Sequence, residues 1–213
     1  MKMLAVSTSA KIPSAALLDD AGDIALLCDT TAKPHSVSLM PLVDELLEKN
    51  GLSACDIDVF AVDIGPGSFT GVRIGVSAVN AMAFASGKRI VPVPSLCALR
   101  HLAKDPTGTV CTMLDARSGN GYAAVFIGGA CTVLPCACTQ KEILDQLPID
   151  SQVIGDCMGG TDQCDARLVI LEALDMLREN EDAAVTCAVP LYLRPSQAER
   201  NLAIKQGNSA DGK

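Results

Sequence analysis

The chain contains no tryptophan, and its aromatic residues are limited to four phenylalanines and two tyrosines. Proteins that hold single-stranded nucleic acid by stacking use several aromatic side chains, so the composition argues against a self-sufficient RNA-binding module. Positive charge is also scarce, since 17 Lys and Arg stand against 25 Asp and Glu, for a formal net charge of −8. A protein that grips phosphate backbones alone carries a basic face, and this balance argues against one.

Long apolar runs are absent as well. The longest, residues 76–85, contains Ser77 and Asn80 and is shorter than the ~20 residues that span a membrane. The N-terminus leads directly into a strand-like segment, without the basic, apolar and small-residue regions of a signal peptide. These features predict a cytoplasmic protein that does not contact a membrane.

Paired metal ligands are missing although the chain has ten cysteines. No two cysteines form a C-x-x-C pair, and Cys136 and Cys138 are the only close ones. Zinc sites usually show paired ligands at short spacing, whereas a free cysteine in an apolar run behaves as a small hydrophobic residue. We therefore interpret the cysteines as structural thiols, kept reduced in the cytosol, and predict no metal site.

The order of predicted elements repeats once along the chain. Alternating and helical hydrophobic patterns predict three strands, a helix, a strand and a helix in the first half, at residues 3–7, 14–19, 24–29, 36–50, 57–64 and 70–86. The second half shows the same order at residues 109–114, 121–127, 131–134, 139–147, 152–155 and 163–179. We place a first domain at 1–105, a second at 106–206 and a polar, disordered tail at 207–213.

A glycine-rich turn, residues 65–75, opens the most unusual helix. It reads Gly-Pro-Gly-Ser-Phe-Thr-Gly-Val-Arg-Ile-Gly, and the helix after it has almost no polar face, Arg73 being its only charge. Backbone amides at a helix N-terminus bind anions, which makes Gly67, Ser68 and the nearby strand end at Ser7 candidate phosphate-proximal residues. The turn lacks the Lys-Ser/Thr pair of a P-loop and the small third residue of a dinucleotide fingerprint. The alternative is a turn with Thr70 as the helix cap.

The two faces of this helix differ in residue size. Val72, Val76, Val79 and Ala83 form one stripe, and a second stripe of mostly small residues contains Ile74, Ala78, Ala81 and Ala85. Small residues allow helices to approach closely. We expect the first stripe to pack on a sheet and the second to meet a partner helix, the alternative being that the second domain covers it.

These residues resemble the TsaB (YeaZ) family along nearly the whole chain. The glycine motif at 65–75 is highly specific for it. Other matches are the first strand Met-Leu-Ala-Val-Ser-Thr-Ser at 3–9, His35-Ser36 with the helix at 41–47, Asp115-Ala116-Arg117 with Tyr122, and Leu-Tyr-Leu-Arg-Pro at 191–195. The resemblance and the repeated order imply an α/β fold of the actin-like (ASKHA, ribonuclease H-like) type, duplicated, with two mixed five-stranded sheets flanked by helices.

The resemblance also implies a function. TsaB proteins are scaffold and activator subunits that pair with the paralogous catalytic subunit TsaD. With the ATPase TsaE, the pair transfers a threonylcarbamoyl group from its adenylate to an adenosine beside the anticodon of tRNA. ATP or ADP and the metal are expected on the partner or at the shared interface, tRNA binds only through the complex, and the isolated chain is expected to form a homodimer. The implied partner-binding residues lie on the two N-terminal-domain helices: Phe69, Thr70, Val72, Arg73, Ile74, Ser77, Ala78, Ala81, Ala85, Ser36, Met40 and Val43.

The residues themselves agree that this chain has no catalytic site of its own. A TsaD-type metal site uses a His-x-x-x-His pair, and this chain has only the distant His35 and His101. Many family members carry Asp where this chain has Ser7, and Asp115 at the matching point of the second half suits a cap or a pair for Arg117. A protease would need a histidine placed beside a serine, which nothing indicates. A small-molecule kinase or ATPase of the actin-like group remains the alternative.

Overall fold

The computed structural model describes residues 1–194 as an α/β protein with nine strands and five α-helices in that range. The predicted tail at 207–213 lies outside the described residues. The first half contains β1 (Met3–Ser7), β2 (Ser14–Leu18), β3 (Ile24–Cys28), α1 (His35–Lys49), β4 (Val59–Asp63), α2 (Phe69–Ser86), β5 (Arg89–Val93) and α3 (Ser95–Leu99). The second contains β6 (Thr109–Asp115), β7 (Asn120–Ile127), β8 (Ala130–Thr139), α4 (Gln140–Leu144), β9 (Gln152–Gly155) and α5 (Ala166–Glu179).

The first sheet has five strands in the order β3-β2-β1-β4-β5. β1, β2 and β3 pair antiparallel, while β1, β4 and β5 pair parallel and are connected through α1 and α2. Every residue of β1, β2 and β4 is buried, as expected for strands covered on both faces. Residues 19–23 form the turn that joins β2 to β3, where Oδ1 of Asp19 accepts the backbone N–H groups of Ala21 and Asp23.

The second sheet has four strands within the described residues, in the order β8-β7-β6-β9. The prediction of two five-stranded sheets is therefore wrong for the second half. After α5 the chain returns to the first sheet, where Val185 forms an antiparallel bridge with Ile90 and the Leu191 N–H donates to the Ile64 carbonyl at 2.8 Å. Residues 191–194 of the expected C-terminal strand are irregular, and Pro195 lies outside the described residues.

The helices form two layers on the first sheet. α1 and α2 pack on one face, where the valines of α2 share an apolar core with Phe60 of β4. α3 and α5 pack on the opposite face and lie between the two sheets, so that one apolar core contains residues from both halves of the sequence. Within residues 1–194, no helix is both long and apolar enough to cross a membrane.

Candidate functional site

Three glycines of the motif face the loop that follows β1. Gly67, Gly71 and Gly75 are spaced four residues apart, and residues at this spacing share one side of a helix. A Cβ on Gly67 would stand 2.6 Å from the Ser9 carbonyl oxygen, and one on Gly71 or Gly75 would overlap Thr8. The glycines are therefore required because the backbone of residues 8–9 lies directly against the first turns of α2.

Hydrogen bonds fix this contact. The Ser68 N–H donates to the Ser9 carbonyl at 2.7 Å, and the Thr8 hydroxyl donates to the Gly71 carbonyl at 2.7 Å. The helix cap is Ser68, whose Oγ accepts the Gly71 N–H at 3.1 Å. The prediction of Thr70 as the cap is wrong, because Thr70 already lies within the first turn and is exposed. One amide that a phosphate would need here is thus bonded to the chain's own backbone.

Asp63, at the end of β4, is a buried carboxylate that the sequence analysis missed. Its Oδ2 accepts the hydroxyls of Ser7, at 2.8 Å, and Ser9. Its Oδ1 accepts the Ser95 hydroxyl at 2.5 Å and the Gly65 N–H at 2.9 Å. These bonds tie the ends of β1 and β4 to the glycine turn and the start of α3. The signal for Asp63 in the sequence was an acidic residue at the end of an apolar strand, just before the glycine turn.

The structure places Ser7, one of the predicted phosphate-proximal residues, away from the surface. It is fully buried and bonded to Asp63, and it does not line the neighbouring cleft. Gly67 and Ser68, the other two phosphate-proximal candidates, do line that cleft. The structure thus separates the three residues into one buried and two accessible positions.

The cleft between the two halves has a volume of about 590 Å³. Lys11 and His35 lie on the wall from the first half, and Asp115 and Asp156 lie on the wall from the second half. Its remaining lining residues are Ser9, Ala10, Gly67, Ser68, Leu114, Tyr122, Gln163 and Cys164. Asp115 acts as a backbone cap, because its Oδ1 accepts the Arg117 N–H at 2.9 Å.

The outer side of α2 and the adjoining part of α1 are exposed. Of the predicted partner-binding residues, the structure places Thr70, Ser77, Ala81, Ala85, Ser36 and Met40 at the surface, with Ile74 and Ala78 half-buried beside them. Val72 and Val43 are corrected, because both lie in the core that α1 and α2 form on the first sheet. The stripe expected to pack on a sheet, Val72, Val76, Val79 and Ala83, does so.

Two exposed apolar side chains of this surface were missed by the sequence analysis. Phe84 on α2 is 89% exposed and Val37 on α1 is 58% exposed. The signal for Phe84 was its position on the helix, since it lies three residues from Ala81 and seven from Ser77, on the side opposite the valines. We define the outer helical surface as the exposed residues of α1 together with those of α2 from Ser77 onward, including Val37, Met40, Ala81, Phe84 and Ala85.

Phe69 and Arg73 lie at the start of α2 and pack against the C-terminal segment. The rings of Phe69 and Tyr192 are stacked with centroids 4.9 Å apart, and the Arg73 guanidinium carbon lies 4.0 Å from the Phe69 centroid. The Arg73 Nε donates to the Tyr192 hydroxyl at 2.7 Å. These two predicted residues thus belong to a separate cluster beside the outer helical surface.

A charged cluster lies on the other helix layer. Glu172 of α5 accepts a hydrogen bond from the Arg100 Nε at 2.7 Å, and the same carboxylate pairs with the His101 Nε2 at 2.9 Å. Arg100 also contacts Asp175 at 2.8 Å. Burial alone raises the pKa of Glu172, but the hydrogen bonds from His101 and Arg100 outweigh it and lower that pKa. His101, Glu172 and Asp175 offer metal-compatible atoms, but both carboxylates already form ion pairs with the Arg100 guanidinium.

The cysteines are free in the structure. Burial raises the pKa of Cys97, Cys111 and Cys157 to about 12, and burial also raises the pKa of Cys164. These thiols are therefore protonated at neutral pH and poor nucleophiles.

Comparison with known proteins identifies the group to which this arrangement belongs. Residues 28–145, more than half of the chain, match the family model "TsaD: tRNA N6-adenosine threonylcarbamoyltransferase". The chain is 32% identical over 124 residues to the TsaB protein of Haemophilus influenzae, covering 57% of this chain and 52% of that protein. It is 35% identical over 126 residues to TsaB of Bacillus subtilis, covering 59% and 55%. The matched region thus spans about half the length of these curated relatives.

The fold also matches solved structures. A Pseudomonas aeruginosa protein described as similar to peptidase YEAZ superposes with a TM-score of 0.75 at 24% identity, covering 91% of this chain and 99% of the other. A second structure, YeaZ from the same organism, gives a TM-score of 0.71 at 22% identity. Fold and motif together define a duplicated α/β protein of the actin-like type. The chain belongs to the family of the TsaD model, and the curated relatives that it resembles carry the name TsaB.

Proposed function

We propose that the chain is a non-catalytic subunit in the biosynthesis of threonylcarbamoyladenosine in tRNA. The observation that carries the proposal is the outer helical surface, where the apolar helix α2 exposes Phe84 to 89% of its area. Scattered exposed apolar residues are common, but clusters of them mark interaction sites. The TsaB names of the curated relatives supply the pathway.

The occupant we propose for this surface is a TsaD-like catalytic subunit. The surface exposes the apolar residues Met40, Ala81 and Phe84, and α1 also exposes the acidic residues Asp44 and Glu48. Small residues at Ala78, Ala81 and Ala85 allow a partner helix to approach closely. A second copy of the chain would use the same surface in the absence of the partner, giving a homodimer in isolation.

The catalytic groups are then expected outside this chain. The Asp63 carboxylate, which lies nearest the end of β1, is fully buried and accepts three serine hydroxyls and one backbone N–H. We place ATP or ADP and the metal on the partner or at the shared interface, with a TsaE-like ATPase joining the complex and tRNA bound through it. This arrangement implies a cytoplasmic protein.

Co-purification with a TsaD-like protein tests the proposal. Phe84→Asp and Ala78→Glu should abolish capture, because each places a carboxylate in an apolar contact. Ile149→Asp is the matched control, since Ile149 is a fully exposed apolar residue in the second half, and it should leave capture unchanged. Full capture of a correctly folded Phe84→Asp variant would overturn the proposed surface.

A small-molecule kinase or ATPase is the second candidate, favoured by the cleft of about 590 Å³. Metal-dependent ATP hydrolysis by the isolated chain distinguishes the two candidates. The subunit proposal predicts negligible turnover, and robust turnover that is lost on changing Asp115 would support the enzyme instead.

A further inference from the structure

The Phe69–Arg73–Tyr192 cluster presents planar groups to solvent. We call these three residues the aromatic platform. Phe69 is 38% and Tyr192 is 45% exposed, although their rings stack on each other at an interplanar angle of 29°. The Arg73 guanidinium lies over both rings, and within residues 1–194 no carboxylate forms an ion pair with it. Among the described residues, no carboxylate therefore pairs with the N–H donors of Arg73 beside this exposed aromatic surface.

A second arginine–aromatic pair lies next to the platform. The Arg194 guanidinium is 6.0 Å from the Tyr122 ring centroid and donates to Oδ1 of Asn120 at 3.0 Å. Tyr192 and Arg194 are two residues apart, so their Cα atoms are within about 7 Å of each other. Tyr122 lines the cleft, and Phe69 directly follows the lining residue Ser68. Both tyrosines of the chain thus lie beside an arginine, and one of them, Tyr122, lines the cleft.

The charges of the cleft decide where a polyanion can lie. Asp115 and Asp156 line the cleft and repel a phosphate that would lie against them. Arg73 and Arg194 lie beside Tyr192 and Tyr122 instead, which gives this acidic chain a local combination of positive charge and aromatic surface. Composition averaged over the chain does not show this combination.

We propose that the aromatic platform stacks an unpaired nucleobase of RNA, with Arg194 beside the neighbouring phosphate. This proposal rests on the proposed role in tRNA modification and names a contact that this chain makes within the complex. Stacking on aromatic side chains and guanidinium planes is the usual way proteins hold unpaired bases. A peptide would use the rings as an apolar surface and would leave the Arg73 donors without an anionic partner.

The platform is separate from the proposed docking surface. Phe69 and Phe84 lie at opposite ends of α2, and fifteen residues at 1.5 Å per residue place them about 22 Å apart. Variants at the two places can therefore separate RNA binding from partner binding, so that failure of one proposal does not imply failure of the other.

The test measures binding of a fluorescein-labelled tRNA anticodon stem-loop, at low salt and by fluorescence anisotropy, to the complex of the full chain with a TsaD-like protein. Tyr192→Ala in this complex should weaken binding by about tenfold, because one stacking partner is lost, whereas Tyr192→Phe keeps the ring and should retain most of the affinity. Phe84→Asp should lose the TsaD-like partner, whereas Tyr192→Ala should capture it normally. A fully paired RNA duplex should bind more weakly than the stem-loop.

Two results would overturn the proposal: the wild-type complex with the TsaD-like protein fails to bind the stem-loop, or Tyr192→Ala binds it as tightly as the wild type. If Tyr192→Ala leaves RNA binding unchanged and also loses the TsaD-like partner, the platform is a protein contact. Circular dichroism of Tyr192→Ala, together with normal partner capture, shows that the variant is folded.

Discussion

The first sheet carries two helix layers that differ in what covers their outer sides. α3 and α5 lie between two sheets, and α5 is buried or half-buried along most of its length, with its acidic groups paired to Arg100 and His101. α1 and α2 cover the opposite face, and their outer sides face solvent with Phe84 and Val37 exposed. Helix α2 is nevertheless more apolar than α1, so it carries more apolar side chains than its own fold buries.

The inner side of α2 should tolerate change least. Gly71→Ala places a Cβ against the Thr8 carbonyl oxygen and should cost about 3 kcal/mol or more of the free energy of unfolding. At an unhindered helix position, the same replacement of glycine by alanine would instead stabilise the protein by about 1 kcal/mol. Urea unfolding measures it, with Ser77→Ala on the outer side of the same helix as the control. Equal stabilities of the two variants would mean that the glycine stripe does not fix the helix.

The other helix layer should depend on pH through its charged cluster. Glu172→Gln should cost about 2 kcal/mol, because the half-buried Arg100 and His101 lose their shared carboxylate. The pKa of Glu172 is lowered in the folded state, so its contribution is present above the ordinary value of 4.5. That contribution is lost as the pH falls through the lower folded pKa.

Unfolding experiments on both proteins across acidic pH check this. The difference between wild type and Glu172→Gln should shrink as the pH falls. Glu45→Gln is the matched control, since Glu45 pairs only with Lys49 at the surface and should cost at most about 0.5 kcal/mol. A difference that stays constant with pH would show that Glu172 acts through packing alone.

The outer side of α2 should show the smallest effect on stability. Phe84→Ser should change the free energy of unfolding by less than about 0.5 kcal/mol, because the ring contacts little of its own chain. Urea unfolding at several protein concentrations measures it. A larger, concentration-dependent loss would show that a second copy already covers the outer helical surface in solution, and the contrast between the two layers would then disappear.

Local elements could be predicted from the sequence because their signals are local. β1 and β9 match their predicted bounds, and the helix predicted from residue 139 begins there, with Thr139 as its N-cap in a capping box with Glu142. β8 extends to Thr139, beyond the predicted residue 134, with register irregularities near Val125. Its exposed, proline-containing edge position weakens the alternation on which strand prediction relies.

The long-range part of the site could not be predicted. In the sequence, Asp63 is a single acidic residue at the end of a strand. Only folding brings the hydroxyls of Ser7, Ser9 and Ser95 to its carboxylate. Tyr192 is 119 residues from Arg73 in sequence, so no spacing indicated the aromatic platform. The glycines were recognised as a motif, but their reason, the contact with Thr8 and Ser9, is visible only in three dimensions.

The packing of α5 on the first sheet has a consequence for synthesis on the ribosome. The strands of that sheet are complete at Val93, yet the helix that covers its second face ends at Glu179. At bacterial-to-eukaryotic elongation rates of 5–20 residues per second, this leaves an apolar sheet face uncovered for roughly 4–17 s. During that interval the nascent chain is a natural client for a chaperone, and its most vulnerable moment falls before its last helix emerges.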